Sequence, residues 1–163
     1  MFMKKIKIYV IARISEDAHF WTDKVCNKLD EKFDIFKPKD HNPWNKRHEL
    51  FPKRVFDVDL KAMQNSHLGL MLPKYGNDCS WEAGWYFGMN KPVVLFIDTQ
   101  MKWLKDWMIK GGTSYIVTNN KDTYKILKKD PILKYKKIFL IDAMEELNGV
   151  LEEIYHIHYH NKA

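Results

Sequence analysis

The run PVVLFI, residues Pro92–Ile97, is the clearest buried strand in the chain, since five apolar residues follow the proline without a polar interruption. Ile6–Ala12 (IKIYVIA) has the same character near the N-terminus. Further strands are predicted at Phe33–Phe36, Leu68–Leu72, Tyr115–Val117 and, as a short addition, Ile138–Ile141.

Helical patterns alternate with these strands. They are predicted at Ser15 to about Leu29, Val55–Asn65, Ser80–Met89, Trp103–Ile109, Asp122–Lys129 and Asp142 to about His156. Alternation of strands and helices favours a parallel sheet covered on both faces. We therefore expect an α/β fold: a doubly wound, flavodoxin-like three-layer sandwich with a five-stranded, mainly parallel sheet. No repeat or linker divides the chain, so residues 1–163 are predicted to form a single domain.

Composition narrows the function classes. No apolar run approaches the ~20 residues of a membrane-spanning helix, and the N-terminus does not resemble a signal peptide. We expect a cytoplasmic protein with no membrane partner.

The net charge is +6, and seven lysines lie between Lys121 and Lys137. That stretch has no arginine and no RNA-binding motif, so we interpret it as a solvated face and expect no nucleic-acid partner; a nucleic-acid patch is the open alternative.

The stretch Gly76-Asn-Asp-Cys-Ser-Trp-Glu82-Ala-Gly84 follows the predicted third strand and opens a helix. A carboxylate in the first turn of a helix is kept ionised by free N–H groups and the helix dipole. Glu82 is therefore a candidate nucleophile, or alternatively an acid that only complements the dipole. Gly84, with Gly88 one turn later, predicts close packing of this helix against the sheet.

Other candidate residues lie near the predicted carboxyl ends of the strands, where such sheets bind ligands. Asp57 and Asp59 are two apart on a helix, so they face different ways and only one of them points at a ligand. Tyr9, in a buried strand, needs a hydrogen-bond partner, either a carboxylate or the backbone. Arg13, just past the first strand, is placed to meet a phosphate or to pair with a surface acid.

Metal and thiol chemistry have little support in the sequence. His156, His158 and His160 alternate without an acid or cysteine at ligand spacing, which favours a frayed tail. Cys79 has no nearby histidine to activate it, and Cys26 and Cys79 are expected to be free thiols. We predict no metal site and no cofactor.

The order and separation of these pieces resemble the nucleoside 2-deoxyribosyltransferase family. The likeness covers roughly residues 5 to 97 and returns weakly around Asp106 to Thr118. It is carried by Lys7–Val10, Phe36–Asn42 (FKPKDHN), Val55–Leu60 (VFDVDL), Ser80–Gly84 (SWEAG) and Lys91–Phe96 (KPVVLF).

The resemblance implies roles for particular residues. Glu82 takes the place of the nucleophile and Tyr9 of the tyrosine that orients it. Asp59 corresponds to the acid that contacts and protonates the leaving base. Asp78 matches the aspartate that holds the sugar, and Asn42 matches the amide that faces the base.

The remaining implied contacts are less sharply placed. Gly76, Ser80 and Arg13 are predicted to bind substrate, and Phe20 or Trp44 to stack on the base. The turn differs from many relatives, because Asp78 lies only four residues before Glu82.

The function implied is a nucleoside 2-deoxyribosyltransferase that forms a covalent glycosyl-Glu82 intermediate and passes the sugar to a second nucleobase. Two alternatives remain: an N-glycosidase that hydrolyses nucleosides or nucleoside 5′-monophosphates, and a non-catalytic nucleotide-binding module. The implied partners are a nucleoside or nucleotide, a free nucleobase and further copies of the chain in a homo-oligomer.

Overall fold

The computed structural model describes residues 5–42, 52–73, 75–98 and 107–160, and its strands closely follow the predicted ones. The strands are β1 (Ile6–Ile11), β2 (Phe33–Phe36), β3 (Leu68–Met71), β4 (Val93–Ile97), β5 (Tyr115–Thr118) and β6 (Lys137–Leu140). The helices are α1 (Glu16–Cys26), α2 (Pro38–His41), α3 (Pro52–Asn65), α4 (Asn77–Gly88), α5 (Trp107–Gly112), α6 (Lys121–Lys129) and α7 (Leu147–Tyr159).

The strands form one sheet in the order β2-β1-β3-β4-β5-β6, and every neighbouring pair is parallel. The prediction of an α/β doubly wound sheet is confirmed. The expected five, mainly parallel strands are wrong in detail, because β6 pairs fully with β5 and makes a sixth parallel strand. The strand order reverses direction between β1 and β3, which is where sheets of this kind leave a crevice at their carboxyl edge.

Alternation along the strands sends side chains into two separate cores. In β1, Ile8 and Val10 join the cluster that packs under α1 and α7, whereas Tyr9 and Ile11 join the cluster on the other face. The second cluster includes Met63 of α3. Helices therefore cover both faces of the sheet, and Tyr9 is buried on the face that carries α3 and α4.

Several element boundaries differ from the predictions. α4 begins at Asn77 rather than Ser80, because Gly76 is extended at its N-terminus and its N–H donates to the Cys79 sulfur at 3.4 Å. The loop expected after β2 opens with the short helix α2, which Pro38 starts. The expected frayed tail is also wrong, since α7 remains helical to Tyr159.

Close packing of α4 does not come from Gly84. Gly84 is exposed, and a Cβ added there would meet no atom within 4 Å. Gly69 of β3 is the glycine whose surroundings are tight, because a Cβ at this position would lie 2.7 Å from Ile11 Cδ1, whereas the ring of Tyr86 at 3.4 Å would be in ordinary contact. The small residue leaves room for the Ile11 side chain of the neighbouring strand β1.

Lys91, just before β4, ties the end of α3 to the rest of the fold. Its ammonium group donates to the carbonyl oxygens of Met63, Gln64 and Ser66 at 3.0, 2.7 and 2.7 Å. These oxygens lie at the C-terminus of α3, where carbonyls lack helical partners and a cation is favourable. Ser66 also bonds its hydroxyl to Tyr86 of α4. The ends of α3 and α4 are thereby joined.

Among the described residues, no helix has both the length and the apolar character needed to cross a bilayer.

Lys91→Met should lower the free energy of unfolding by ~1–3 kcal/mol. The substitution removes the ammonium group that donates to three helix-end carbonyls, while it keeps most of the apolar part of the side chain. For a chain of this size, we expect the melting temperature to fall by about 2–4 °C per kcal/mol. Lys61→Met, at an exposed position of α3, is the matched control. Equal melting temperatures for the two variants would contradict the role given to Lys91.

Candidate active site

A cavity of about 640 Å³ opens at the carboxyl edge of the sheet, beside the end of β1 and between α3 and α4. Its size falls in the range of small-molecule sites. It is lined by Ala12, Arg13, Ile14, Ser15, Pro38, Asn42, Pro52, Val55, Phe56, Asp59, Leu60, Met63, Gly76, Asp78, Cys79, Trp81 and Glu82. The wall is mainly apolar, and its carboxylates come from two different helices.

A hydrogen bond joins Tyr9 of β1 to Glu82 of α4. The Tyr9 hydroxyl donates to Glu82 Oε1 at 2.6 Å, from a side chain that is 0% exposed. Burial, with Glu82 and Asp59 nearby, raises the pKa of the Tyr9 phenol far above its usual range, so it stays protonated. Tyr9 therefore acts as a fixed donor that holds one carboxylate oxygen of Glu82.

The electrostatics of Glu82 differ from the expectation of a first-turn carboxylate kept ionised by the helix dipole. Because α4 begins at Asn77, Glu82 lies in its second turn, and the acid in the first turn is Asp78. Burial raises the pKa of Glu82 to about 8, and the charges of Asp59 and Asp78 add to the rise. The hydrogen bond from Tyr9 opposes it. Glu82 therefore keeps its proton to a higher pH than a solvent-exposed glutamate does.

Asp59 faces the same cavity from α3. Burial raises its pKa to about 6, and its Oδ1 atom has no hydrogen-bond partner among the described residues. Asp57, two residues earlier, is exposed and pairs with Lys53 at 2.5 Å. The two acids thus face different ways, as the helical spacing predicts, and it is Asp59 that lies with Glu82.

Asn42 reaches the cavity at the end of α2. A stack of three rings leads from the core to this helix: Tyr9 and Phe36 lie 5.5 Å apart, and Phe36 and His41 lie 4.5 Å apart, both nearly parallel. The Oδ1 atom of Asn42 is buried and has no hydrogen-bond partner in the described part of the chain. The stack therefore connects Tyr9 with the helix that presents Asn42.

The other predicted substrate-binding residues divide into two groups. Arg13, Gly76 and Asp78 line the cavity. Ser80 does not line it and lies exposed on α4. Ser80 therefore does not lie with the other residues that are predicted to bind substrate.

The two aromatic residues proposed for base stacking are not supported. Phe20 is 77% exposed and is absent from the cavity wall. Trp44 lies outside the described residues.

Two other aromatic residues, which sequence reasoning missed, do line the cavity. Phe56 of α3 and Trp81 of α4 have ring centroids 6.0 Å apart and are 50% and 52% exposed. Each is close in sequence to a site carboxylate: Phe56 is one helical turn before Asp59, and Trp81 directly precedes Glu82. That proximity was the available signal.

Cys79 also lines the cavity, but burial raises the pKa of its thiol to about 12, so it remains protonated. Within the described ranges, no three His, Cys, Asp or Glu side chains are grouped so as to hold a metal ion.

Comparisons with known proteins support the fold. No protein-family model and no curated protein matches the chain. The 2-deoxyribosyltransferase of the psychrotolerant bacterium Bacillus psychrosaccharolyticus is similar in structure, with a TM-score of 0.58 and 22% identity over 82% of this chain and 99% of that one. A conserved protein from Enterococcus faecalis V583 has a TM-score of 0.56 and 16% identity over 92% of this chain and 99% of that one. At these identities the likeness shows a shared fold.

Glu82→Gln should stabilise the protein at alkaline pH. The usual pKa of a glutamate is 4.5, and in the folded protein it is about 8 for Glu82. Between these values the folded state keeps a proton that the unfolded chain has lost, so stability falls as the pH rises through this window. Glutamine has no such proton, and its amide oxygen can still accept from Tyr9. We expect a melting temperature several degrees above wild type at pH 9 and a similar one at pH 4.

Thermal melts from pH 4 to 9 measure this difference. Glu31→Gln, at an exposed loop position, is the control and should show no comparable pH-dependent gain. A Glu82→Gln curve parallel to wild type across the range would mean that Glu82 is not buried as described.

Proposed function

We propose that the protein cleaves the N-glycosidic bond of a nucleoside through a covalent glycosyl-Glu82 intermediate and passes the sugar to a second nucleobase. The observation that carries this proposal is the hydrogen bond from Tyr9 to Glu82 at 2.6 Å, in a cavity that Asp59 also faces. A carboxylate with one oxygen held by a buried donor keeps the other oxygen free to attack. The fold shared with a 2-deoxyribosyltransferase is consistent with the proposal.

The chemistry follows the logic of retaining glycoside hydrolysis. A Glu82 carboxylate oxygen forms a bond to C1′ as the C1′–N bond breaks, and the electron pair of that bond goes to the leaving base. Asp59 donates the proton that neutralises the base. In the second step, a nitrogen of another base attacks C1′, Glu82 leaves as a carboxylate and Asp59 takes up the displaced proton. Attack by water gives hydrolysis instead.

The proposed chemistry needs an ionised Glu82 and a proton on Asp59. Burial raises the pKa of both carboxyls, and the charge of Asp59 adds to the rise for Glu82, so the pair tends to keep a proton near neutral pH. Positive charge that develops at C1′ favours ionised Glu82, and a base packed against Asp59 removes further water from it. Substrate binding is thus the event that redistributes the proton.

Hydrolysis of a nucleoside 5′-monophosphate is the second candidate. Arg13 lies exposed at the cavity wall, just past β1, and would suit a phosphate. Asp78 lines the same cavity and would repel one. Arg13 favours a phosphorylated substrate, and Asp78 favours an unphosphorylated one. Activity toward nucleosides compared with nucleoside 5′-monophosphates therefore distinguishes the two candidate functions.

Incubation with a deoxynucleoside and a second free base, followed by chromatography, tests the reaction. A new nucleoside supports transfer, and free base without exchange supports hydrolysis; 5′-monophosphates are run in parallel. Glu82→Ala should lower turnover by ~10³-fold or more while Glu31→Ala retains it. Binding of nucleosides without turnover in wild type would favour a non-catalytic module and contradict the proposal.

Tyr9→Phe should change the pH profile in a specific way. For the wild type, we expect kcat/KM to be bell-shaped, with limbs near pH 6 and pH 8 that correspond to Asp59 and Glu82. Loss of the Tyr9 hydroxyl removes the interaction that lowers the pKa of Glu82, so the alkaline limb should move to higher pH. The maximum should fall by about tenfold or more, because less Glu82 is ionised near pH 7.

Tyr86→Phe is the matched control, since Tyr86 is another buried tyrosine of the same core whose hydroxyl bonds to Ser66. Its alkaline limb should stay in place. A Tyr9→Phe profile that keeps the wild-type alkaline limb would show that Tyr9 does not act through Glu82.

A further inference from the structure

Two buried oxygens of the cavity residues lack hydrogen-bond partners among the residues that the structure describes: Asn42 Oδ1 and Asp59 Oδ1. Both residues line the cavity, one from the end of α2 and the other from α3. An acceptor buried without a partner destabilises the folded protein, and such atoms are rare in native structures. Such a pair of atoms is therefore explained best by a ligand that donates hydrogen bonds to both.

The wall of the same cavity is suited to a flat ring. Phe56 and Trp81 lie 6.0 Å apart, with their planes inclined by 54°, and neither belongs to the two buried core clusters. Exposed aromatic faces of this kind are available for stacking with a planar ligand. The site thus combines aromatic faces with buried acceptors and presents no unpartnered buried donor among its described lining residues.

We propose that the cavity selects nucleobases with an exocyclic amino group, which stack on the ring of Phe56 or of Trp81 and donate N–H groups to Asn42 and Asp59. This inference rests on the proposed function. An amino group carries two N–H donors, which matches the number of unpartnered oxygens. An oxo group at the same position would place its lone pairs against those oxygens and leave them unpartnered.

Substrate pairs in which an oxo group replaces the amino group, with a hydrogen added to the adjacent ring nitrogen, test the selection. They are 2′-deoxyadenosine against 2′-deoxyinosine, and 2′-deoxycytidine against 2′-deoxyuridine. We expect kcat/KM to be at least about tenfold higher for the amino member of a pair that is turned over. Equal values, or a preference for the oxo member, would overturn the inference while leaving the proposed reaction intact.

Binding of the free bases separates this inference from the reaction. Adenine against hypoxanthine, and cytosine against uracil, are titrated calorimetrically into the Glu82→Gln variant, which needs no turnover. Tighter binding of the amino bases supports the inference even if the wild type turns over no nucleoside, an outcome that would refute only the proposed function. Equal binding within each pair would count against the inference whatever the activity.

Variants distinguish the acceptors from the aromatic wall. Asn42→Ala should bring the amino-to-oxo ratio toward one by several-fold. Trp81→Leu should raise KM for both members alike and preserve the ratio. Phe87→Leu is the control, since Phe87 is exposed on α4 outside the cavity and should change neither quantity. A ratio that survives Asn42→Ala would remove Asn42 from the selection; circular dichroism establishes that each variant is folded.

Discussion

The hydrogen bond between Tyr9 and Glu82 is the interaction on which the architecture of the site depends. It joins β1, the strand between β2 and β3, to α4. It exists because the alternating pattern of the strand turns Tyr9 toward the face that carries α4, while its neighbours Ile8 and Val10 pack on the other side. A buried phenol needs an acceptor, and a buried carboxylate needs a donor. Each group therefore satisfies a need that burial imposes on the other.

The second carboxylate changes the electrostatics of this arrangement. Asp59 has no hydrogen-bond partner on Oδ1 in the described chain and contributes to the rise in the pKa of Glu82. Two acids in one apolar cavity cannot both ionise easily at neutral pH. Hydrogen bonds from Lys91 to Met63 and Ser66, and from Ser66 to Tyr86, join the ends of the two helices that carry these acids.

Several sequence expectations were wrong for reasons that single segments do not reveal. The sequence predicts that α4 starts at Ser80, because the preceding residues are typical of a turn. The helix begins at Asn77, and the Cys79 sulfur accepts a hydrogen bond from the N–H of the residue before the helix. The sequence assigns Gly84 to helix–sheet packing, whereas a Cβ added at this position would meet no atom within 4 Å. Phe20 was proposed to stack on a base, although helix α1 presents it to solvent. The local sequence pattern does not show which residues of other elements a side chain contacts in the folded protein.

The sequence by itself determined the alternation of strands and helices, the two-faced core and the helical separation of Asp57 from Asp59, because these follow from periodicity along the chain. It also marked Tyr9, Asp59 and Glu82 as a set, although only through resemblance. The tertiary structure decided which carboxylates share a cavity, how far burial raises their pKa values, that Phe56 and Trp81 form a wall and Ser80 does not, and that β6 completes the sheet. These properties depend on burial and on contacts between distant segments, which only the assembled fold creates.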